Sequence, residues 1–168
     1  MPETPDHSTA REEFTNIRVT GARGSGAGRW FTGSKEIINY KVISHFKQHL
    51  FRDEKGIYIY QTFRQFSEKG YITVEGPLLA VFRIDREKIT FDSLDEIATA
   101  TAEVVINTGD EAAYVYYPRL GCYAVVAASV SPDFSAFLKE EGDVFLFCDR
   151  PLRRLHITNW TQPPTIEI

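Results

Sequence analysis

Residues 103–117 read EVVINTGDEAAYVYY and decide the fold of the chain. Two runs rich in β-branched and aromatic residues, 103–106 and 112–117, flank the polar connection Asn107-Thr108-Gly109-Asp110-Glu111. A glycine in a short polar connection between such runs is typical of a β-hairpin. The stretch therefore predicts two antiparallel strands, with Gly109 as the residue that supplies a positive φ in the turn.

Further short strands are predicted on both sides of this hairpin. Turn signals at 69–70, 76–77, 85–88 and 118–121 separate runs that alternate or are apolar. Short strands at this spacing are typical of an antiparallel meander. About nine strands are predicted, at 14–20, 57–60, 71–74, 78–84, 89–91, 103–106, 112–117, 122–128 and 144–147.

Two segments carry a helical signal. In residues 39–51 the apolar side chains recur on one helical face, and Asn39 is a suitable N-cap. Ser131-Pro132-Asp133 predicts the start of a second helix, 131–141, which Gly142 ends. Two helices and about nine strands predict an α+β fold with a mostly antiparallel sheet. The apolar face of the first helix consists of Ile38, Val42, Ile43, Phe46 and Leu50.

The order of these signals predicts two small subdomains between two tails. Residues 1–13 have no apolar run and are predicted to be a disordered tail. Residues 14–77 form an N-terminal α+β subdomain, and 78–150 form a C-terminal antiparallel β subdomain with a capping helix. Residues 151–168 carry three prolines and are predicted to be a C-terminal tail.

Composition narrows the classes of function. The 168 residues hold 19 Lys and Arg against 23 Asp and Glu, which argues against general nucleic-acid binding. No apolar run reaches the ~18 residues that span a bilayer, and the N-terminus lacks a signal-peptide pattern. A cytoplasmic protein without membrane contact is therefore expected. Cys122 and Cys148 lie in apolar runs and are predicted to be reduced and buried.

The glycine-rich stretch 21–28 matches phosphate-binding loops only in part. Gly21 and Gly26 have the spacing of a P-loop, but Ala27-Gly28 follow where such a loop has Lys and Ser or Thr. A dinucleotide loop leads directly into a helix, whereas Trp30-Phe31 is predicted to be extended. The stretch is therefore interpreted as a flexible linker or a hairpin tip.

A histidine pair on the first helix is the best candidate for a metal. His45 and His49 lie four residues apart, a spacing that can place two imidazoles on one ion. His49 falls in the apolar arc and no third ligand is identified, so partly buried structural histidines are predicted. The sequence also lacks a Gly-x-Ser-x-Gly elbow and a Cys–His nucleophile pattern. No cofactor, no metal and no catalytic activity are expected.

Five segments, in order, resemble the bacterial family called domain of unknown function 1285. The resemblance covers roughly residues 29–149, and its most specific piece is the hairpin segment 106–110. The family's short Thr-Pro-x-Glu-Lys stretch corresponds to 61–69, which is longer and has no proline. The other segments that carry the resemblance are 29–37, the helix through Phe46 and Leu50, 52–58 and 76–81.

This resemblance implies a two-part α+β protein with a ligand or partner groove between the halves and signalling as the context. The C-terminal half is implied to be similar to a pleckstrin-homology-like sheet, with 131–141 as its capping helix. The family offers no catalytic activity to carry over. Lys69, at the end of the segment 61–69, joins the candidate ligand-binding residues.

The sequence thus favours a non-catalytic binding module with a small anionic, nucleotide-like ligand between its halves. The alternative is an adaptor that binds a peptide or forms a homodimer or larger homo-oligomer through its tyrosine faces, Tyr58 with Tyr60 and Tyr114 with Tyr116. A small metal-dependent enzyme built on His45 and His49 is the third hypothesis. The candidate ligand-binding residues are Trp30, for stacking, Lys69, Asn107, Thr108 and Asp110.

Overall fold

Sixteen strands in three sheets, with two short helices, build the part of the chain that the computed structural model describes, residues 6–22 and 26–161. Three strand pairs are parallel and ten are antiparallel. The predicted α+β fold with mostly antiparallel pairing is therefore confirmed. Neither helix in this part of the chain has the length and apolar composition to cross a membrane.

The first sheet takes all its strands from the N-terminal half. They are β1 (Arg11–Val19), β2 (Trp30–Thr32), β3 (Lys35–Glu36), β4 (Leu50–Asp53), β5 (Gly56–Thr62) and β6 (Ser67–Val74). Their order is β3-β2-β1-β6-β5-β4, with β1 antiparallel to β2 and parallel to β6. The β1–β2 connection contains the glycine-rich stretch, so its interpretation as a hairpin tip is confirmed, although 23–25 lie outside the described residues.

The second sheet takes its strands from the C-terminal half, and a third, smaller sheet follows it. The second sheet has the order β16-β10-β11-β12-β7-β8-β9, and the third has the order β13-β14-β15. The strands are β7 (Ala80–Ile84), β8 (Lys88–Phe91), β9 (Glu96–Ala98), β10 (Val104–Asn107), β11 (Ala113–Tyr117), β12 (Cys122–Val126), β13 (Leu138–Glu141), β14 (Val144–Phe147), β15 (Arg150–Pro151) and β16 (Arg153–Leu155). A 3-10 turn, Thr99–Thr101, links β9 to β10.

The hairpin at 103–117 is confirmed, but its turn differs from the prediction. Val104 pairs with Val115 in antiparallel register. The loop closes through a hydrogen bond of 2.7 Å from the Glu111 amide to the Asn107 carbonyl. The left-handed residue is Glu111, with φ 57°, and not Gly109. The positive φ falls on the last loop residue because this loop is longer than a two-residue turn.

The first helix, α1, is shorter than predicted. It spans Tyr40–Gln48, and the Asn39 side chain caps it by accepting a hydrogen bond of 3.0 Å from the Lys41 amide. Leu50 is instead the first residue of β4, where it pairs with Ile59, because its side chain is buried at that position in the sheet. Ile38 is 84% exposed, so the predicted apolar face is wrong at that position.

The predicted helix 131–141 is wrong beyond its first turn. The helix α2 spans Ser131–Ser135, and its N-cap is Val130 rather than Ser131. Gly142, with φ 63°, turns the chain between β13 and β14, so the residues expected in the helix pair as a hairpin. The pleckstrin-homology-like arrangement, which needs a long capping helix, is not confirmed.

Both predicted tails are partly ordered, and the predictions are wrong there. Of the N-terminal tail, 1–13, residues 11–13 belong to β1 and His7 is buried, while 1–5 lie outside the described residues. Of the C-terminal tail, 151–168, residues 153–155 form β16 and pair in parallel with β10, while 162–168 lie outside the described residues. Pairing with a strand that is distant in the sequence supplies the backbone hydrogen-bond partners that these short segments lack among their own neighbours.

One hydrophobic core lies between the two large sheets. It includes Val19 and Leu50 from the first sheet and Ile89 and Val115 from the second. Three polar contacts join the halves around this core: Lys47 Nζ lies 2.5 Å from Asp92 Oδ2, Arg119 donates to the Leu50 carbonyl at 2.6 Å, and Arg52 donates to the Leu120 carbonyl at 3.0 Å. The strands change sheet between residues 74 and 80. The division into subdomains at 14–77 and 78–150 stays a prediction.

The backbone at Thr20 is packed between two glycines at this change of sheet. A Cβ atom on Gly28 would lie 2.1 Å from the Thr20 carbonyl oxygen, and one on Gly76 would lie 2.4 Å from the same oxygen. The Gly28 amide donates to the Pro77 carbonyl at 2.6 Å, and the Glu75 amide donates to the Val19 carbonyl at 2.7 Å. We call Thr20, Gly28 and Gly76 the glycine junction. At Gly28 and Gly76, only a residue without a Cβ fits.

We expect Gly76→Ala to lower the free energy of unfolding by about 3 kcal/mol or more, because its Cβ must displace backbone atoms. The matched control is Gly21→Ala, since a Cβ on Gly21 would meet no atom within 4 Å. That substitution should change the free energy by less than about 0.5 kcal/mol. Urea unfolding of the two variants measures the difference, and equal effects would show that the junction is not tightly packed.

The segment before β1 is held on the first sheet by His7. Its ring stacks on Tyr60 with 3.6 Å between centroids, and its Nδ1 lies 2.9 Å from the Tyr58 hydroxyl. Burial lowers the pKa of His7 below its ordinary value, and the nearby Lys69 ammonium lowers it further. The folded protein therefore favours the neutral imidazole.

A pH dependence of stability follows from this burial. Because the folded pKa of His7 lies below the value of 6.5 in the unfolded chain, the unfolded state binds the proton more tightly. The free energy of unfolding should therefore fall as the pH drops below about 6.5. We expect His7→Phe, which keeps a ring but does not titrate, to lose this part of the slope in urea unfolding. Identical slopes for both proteins between neutral pH and about pH 5 would contradict the assignment.

Candidate binding cleft

A cleft of 370 Å³ opens where the glycine junction meets the interior strands β11 and β12 of the second sheet. Its described lining comes from five parts of the chain: the β1–β2 connection, the segment that joins the two sheets, the hairpin of β10 and β11, strand β12, and the C-terminal segment. Its described lining consists of Gly21, Ala22, Gly26, Glu75, Gly76, Pro77, Asp110, Ala112, Tyr114, Val125 and Trp160. The cleft thus lies between the two halves.

Asp110 is the predicted site residue that lines this cleft, and two hydrogen bonds fix its carboxylate. Its Oδ1 accepts from the Ala112 amide at 2.9 Å, and its Oδ2 accepts from the Tyr114 hydroxyl at 2.5 Å. Burial raises the pKa of Tyr114, and the hydrogen bond to Asp110 raises it further. Tyr114 therefore stays protonated as a donor, and the carboxylate keeps its position.

Trp160 supplies the second aromatic ring of the cleft. Its ring packs beside Tyr114, with 5.5 Å between centroids and 42° between planes. The C-terminal segment that carries it is fixed by Asn107, because the Asn107 Oδ1 accepts from the Ile157 amide at 3.0 Å. The same oxygen accepts from the Gly109 amide at 3.2 Å. Asn107 is only 4% exposed and therefore positions the cleft rather than lining it.

Thr108 also contacts the C-terminal segment. Its amide donates to the Leu155 carbonyl at 2.8 Å, and its hydroxyl lies 3.4 Å from His156 Nδ1. Asn107, Thr108 and Asp110 are therefore brought together at one end of the second sheet, as their places in the sequence predict. Of these three residues, Asp110 alone lines the cleft.

The cleft carries negative charge among its described residues. Glu75 and Asp110 both line it, and its described lining contains no Lys or Arg. The salt bridges between described residues do not include either carboxylate. Other acidic side chains, such as Asp53, Asp92 and Asp95, each pair with a base. Glu75 and Asp110 therefore give the described part of the cleft a negative potential, whereas a neighbouring base balances the charge of each of the other three carboxylates.

Trp30 and Lys69 lie away from the cleft. Trp30 is 0% exposed and packs on Phe46 in the core, so it cannot stack on a ligand at the surface. Lys69 is 8% exposed and donates to Asp53 Oδ2 at 3.0 Å, beneath His7. Burial acts to raise the pKa of Asp53, but the hydrogen bonds from Tyr71 and Lys69 outweigh it and lower the pKa. Both side chains are thus engaged within the protein.

The histidine pair has a local structural explanation. His49 Nδ1 lies 2.6 Å from the His45 carbonyl oxygen, and the two rings are 4.2 Å apart. His45 is exposed, so the prediction that it is partly buried is wrong. Across the described residues, no group of three or more His, Cys, Asp or Glu side chains is placed to hold a metal ion.

Sequence reasoning did not identify Trp160, Tyr114 as a cleft residue, or Glu75. Trp160 lies in a segment with three prolines nearby, and a tryptophan in such a polar tail is the signal that it packs against something. Glu75 follows β6 directly, but the residues around it in the sequence do not indicate that residues 110 and 160 lie close to it in the fold. These contacts depend on the topology.

Comparison with known proteins supports the fold. No protein-family model matches the chain, and no curated protein matches it. A crystal structure of a DUF1285 family protein from Silicibacter pomeroyi DSS-3 is similar to it, with a TM-score of 0.60 and 18% sequence identity. The likeness covers 85% of this chain and 81% of that chain. At the level of the fold, it confirms the resemblance to the family called domain of unknown function 1285 that the sequence indicates.

Proposed function

We propose that the protein is a non-catalytic binding module whose small organic ligand occupies the cleft between the two sheets. The observation that carries this proposal is that the half-buried ring of Trp160, packed on Tyr114, lines one cavity together with an oriented carboxylate, Asp110. Ligand sites commonly combine apolar walls with a few polar groups in fixed positions, at volumes of roughly 300–1,000 Å³. The cleft volume of 370 Å³ lies in this range.

The negative charge of the described cleft residues changes one property of the ligand that the sequence suggests, its charge. An aromatic ring system such as a nucleobase has a partner in the exposed part of Trp160. A phosphate would instead approach Asp110 and Glu75, which repel an anion. We therefore retain a flat ring in the proposal and leave out the anionic group.

The two cysteines are not activated as nucleophiles. Cys122 is buried, and burial raises its pKa to about 12, so the thiol stays protonated at neutral pH. Burial also raises the pKa of Cys148. The described histidines have no third metal ligand beside them. Signalling, as the context of binding, and a cytoplasmic location stay predictions.

The adaptor hypothesis has weaker support, because the tyrosines that motivated it are covered. Tyr58 and Tyr114 are each 2% exposed. Tyr60 lies under the stacked ring of His7, and Tyr116 packs at 5.6 Å from Tyr123. A homodimer or a peptide complex through these faces would first have to uncover them.

Tryptophan fluorescence tests the proposed site directly. The chain has two tryptophans, and Trp30 is 0% exposed, so acrylamide should quench mainly Trp160. In a screen of small aromatic fragments, we expect the ligands to protect Trp160 from quenching and to shift the amide signals of Gly21 and Ala112. Trp160→Ala should weaken their binding about threefold to tenfold, the range expected for one aromatic contact.

A matched control for this experiment is Phe82→Ala. Phe82 is 63% exposed and lies outside the cleft lining, so its removal should leave fragment binding unchanged. Fragments that bind without affecting Trp160, or equally well to the Trp160→Ala protein, would contradict the proposed site.

A further inference from the structure

We infer that the ligand of the cleft carries an organic ammonium group, which Asp110 binds beside the half-buried ring of Trp160. This inference rests on the proposed function and adds the chemical class of the ligand. Three observations support it: the charge of the lining, the hydrogen-bonding state of Asp110, and the nature of the neighbouring rings.

The charge of the described lining favours a positive partner. Asp110 and Glu75 face the same cavity, and the described residues offer neither of them a salt bridge. Both carboxylates are exposed, so they attract a cation through solvent, and added salt screens this attraction. An anionic ligand would add a third negative charge to this space.

The hydrogen bonds of Asp110 leave it as an acceptor only. The Ala112 amide and the Tyr114 hydroxyl donate to its two oxygens, and each oxygen keeps a further lone pair. The Tyr114 hydroxyl proton is already directed to Asp110, so Asp110 and Tyr114 together present no hydrogen-bond donor to a ligand. The complementary group is therefore an N–H donor with a positive charge, which forms the stronger, charge-assisted hydrogen bond.

The rings distinguish an organic cation from a metal ion. An alkylammonium group is attracted both to a carboxylate and to the faces of Trp and Tyr rings. A hard metal ion prefers several oxygen ligands instead. The described residues hold no cluster of three such side chains, whereas the half-buried ring of Trp160 lines the same cavity as Asp110. The lining therefore favours an organic ammonium group.

Three probes of nearly equal shape test the inference: benzylamine, which is a cation at neutral pH, benzyl alcohol, which is neutral, and benzoate, which is an anion. Binding is followed by the shifts of the Trp160 indole and Ala112 amide signals. We expect benzylamine to bind about tenfold more tightly than benzyl alcohol, and benzoate to bind most weakly. The preference for benzylamine should decrease with added salt.

Asp110→Asn keeps the shape of the side chain and removes its charge. This variant should lose most of the preference for benzylamine and bind benzyl alcohol as the native protein does. Because the substitution also alters the contact with Tyr114, Glu75→Gln serves as a second variant, since Glu75 is exposed and lines the cleft from the segment that joins the two sheets. It should reduce the preference as well, by a smaller factor.

The possible outcomes separate the two proposals. Equal binding of all three probes at the cleft, or tightest binding of benzoate, would overturn the ammonium inference and leave the cleft as a binding site. A preference for benzylamine that survives in both variants would also overturn it. If none of the probes shifts the cleft signals, both the inference and the proposed function are contradicted.

Discussion

The packing of the Thr20 backbone between Gly28 and Gly76 is the contact on which the rest of the structure depends. At this point the hairpin of β1 and β2, the end of β6 and the start of the second sheet come within hydrogen-bonding distance of one another. A side chain at either glycine would overlap the neighbouring backbone and push these three segments apart. The junction therefore fixes how closely these three segments approach one another, and Gly76 itself lines the cleft.

The cleft follows from this junction and from one asparagine. Gly21, Gly76 and Pro77 form one wall because the junction brings them together. Asn107 fixes the opposite wall, since its side chain holds both the hairpin loop and the segment that carries Trp160. A change in either contact would move Asp110 and Trp160 relative to the glycine backbone without touching those residues themselves.

The sequence predicts the local features well. The hairpin at 103–117, the Asn39 cap and the β1–β2 hairpin tip depend on residues close together in the chain, and all three are confirmed. The segment 131–141 is assigned wrongly because Phe134, Phe137 and Leu138 recur at helical spacing although the last of them opens a strand. There, pairing of β13 with β14 outweighs the local helical preference.

The candidate site is predicted only in part, for a physical reason. Asp110 is recognisable because a polar hairpin loop concentrates acceptors in a short stretch. Its partner Trp160 lies 50 residues further on, in a segment whose composition predicts a tail. The parallel pairing of β16 with β10, the Asn107 hydrogen bond and the contacts of Thr108 bring that segment back. Trp30, by contrast, lies away from the predicted site because burying its large apolar ring in the core is more favourable than leaving it at the surface.

The central claim is that the glycine junction joins the two sheets into one cooperative unit. Native-state hydrogen exchange of the amides of Thr20, Gly28 and Glu75 tests it most directly, since each donates a hydrogen bond at the junction. These amides should exchange with the same free energy of opening as Ile59 and Val115, in the centres of the two sheets. Faster exchange at the junction, with different free energies for the two sheets, would show that the halves open independently and would contradict the account.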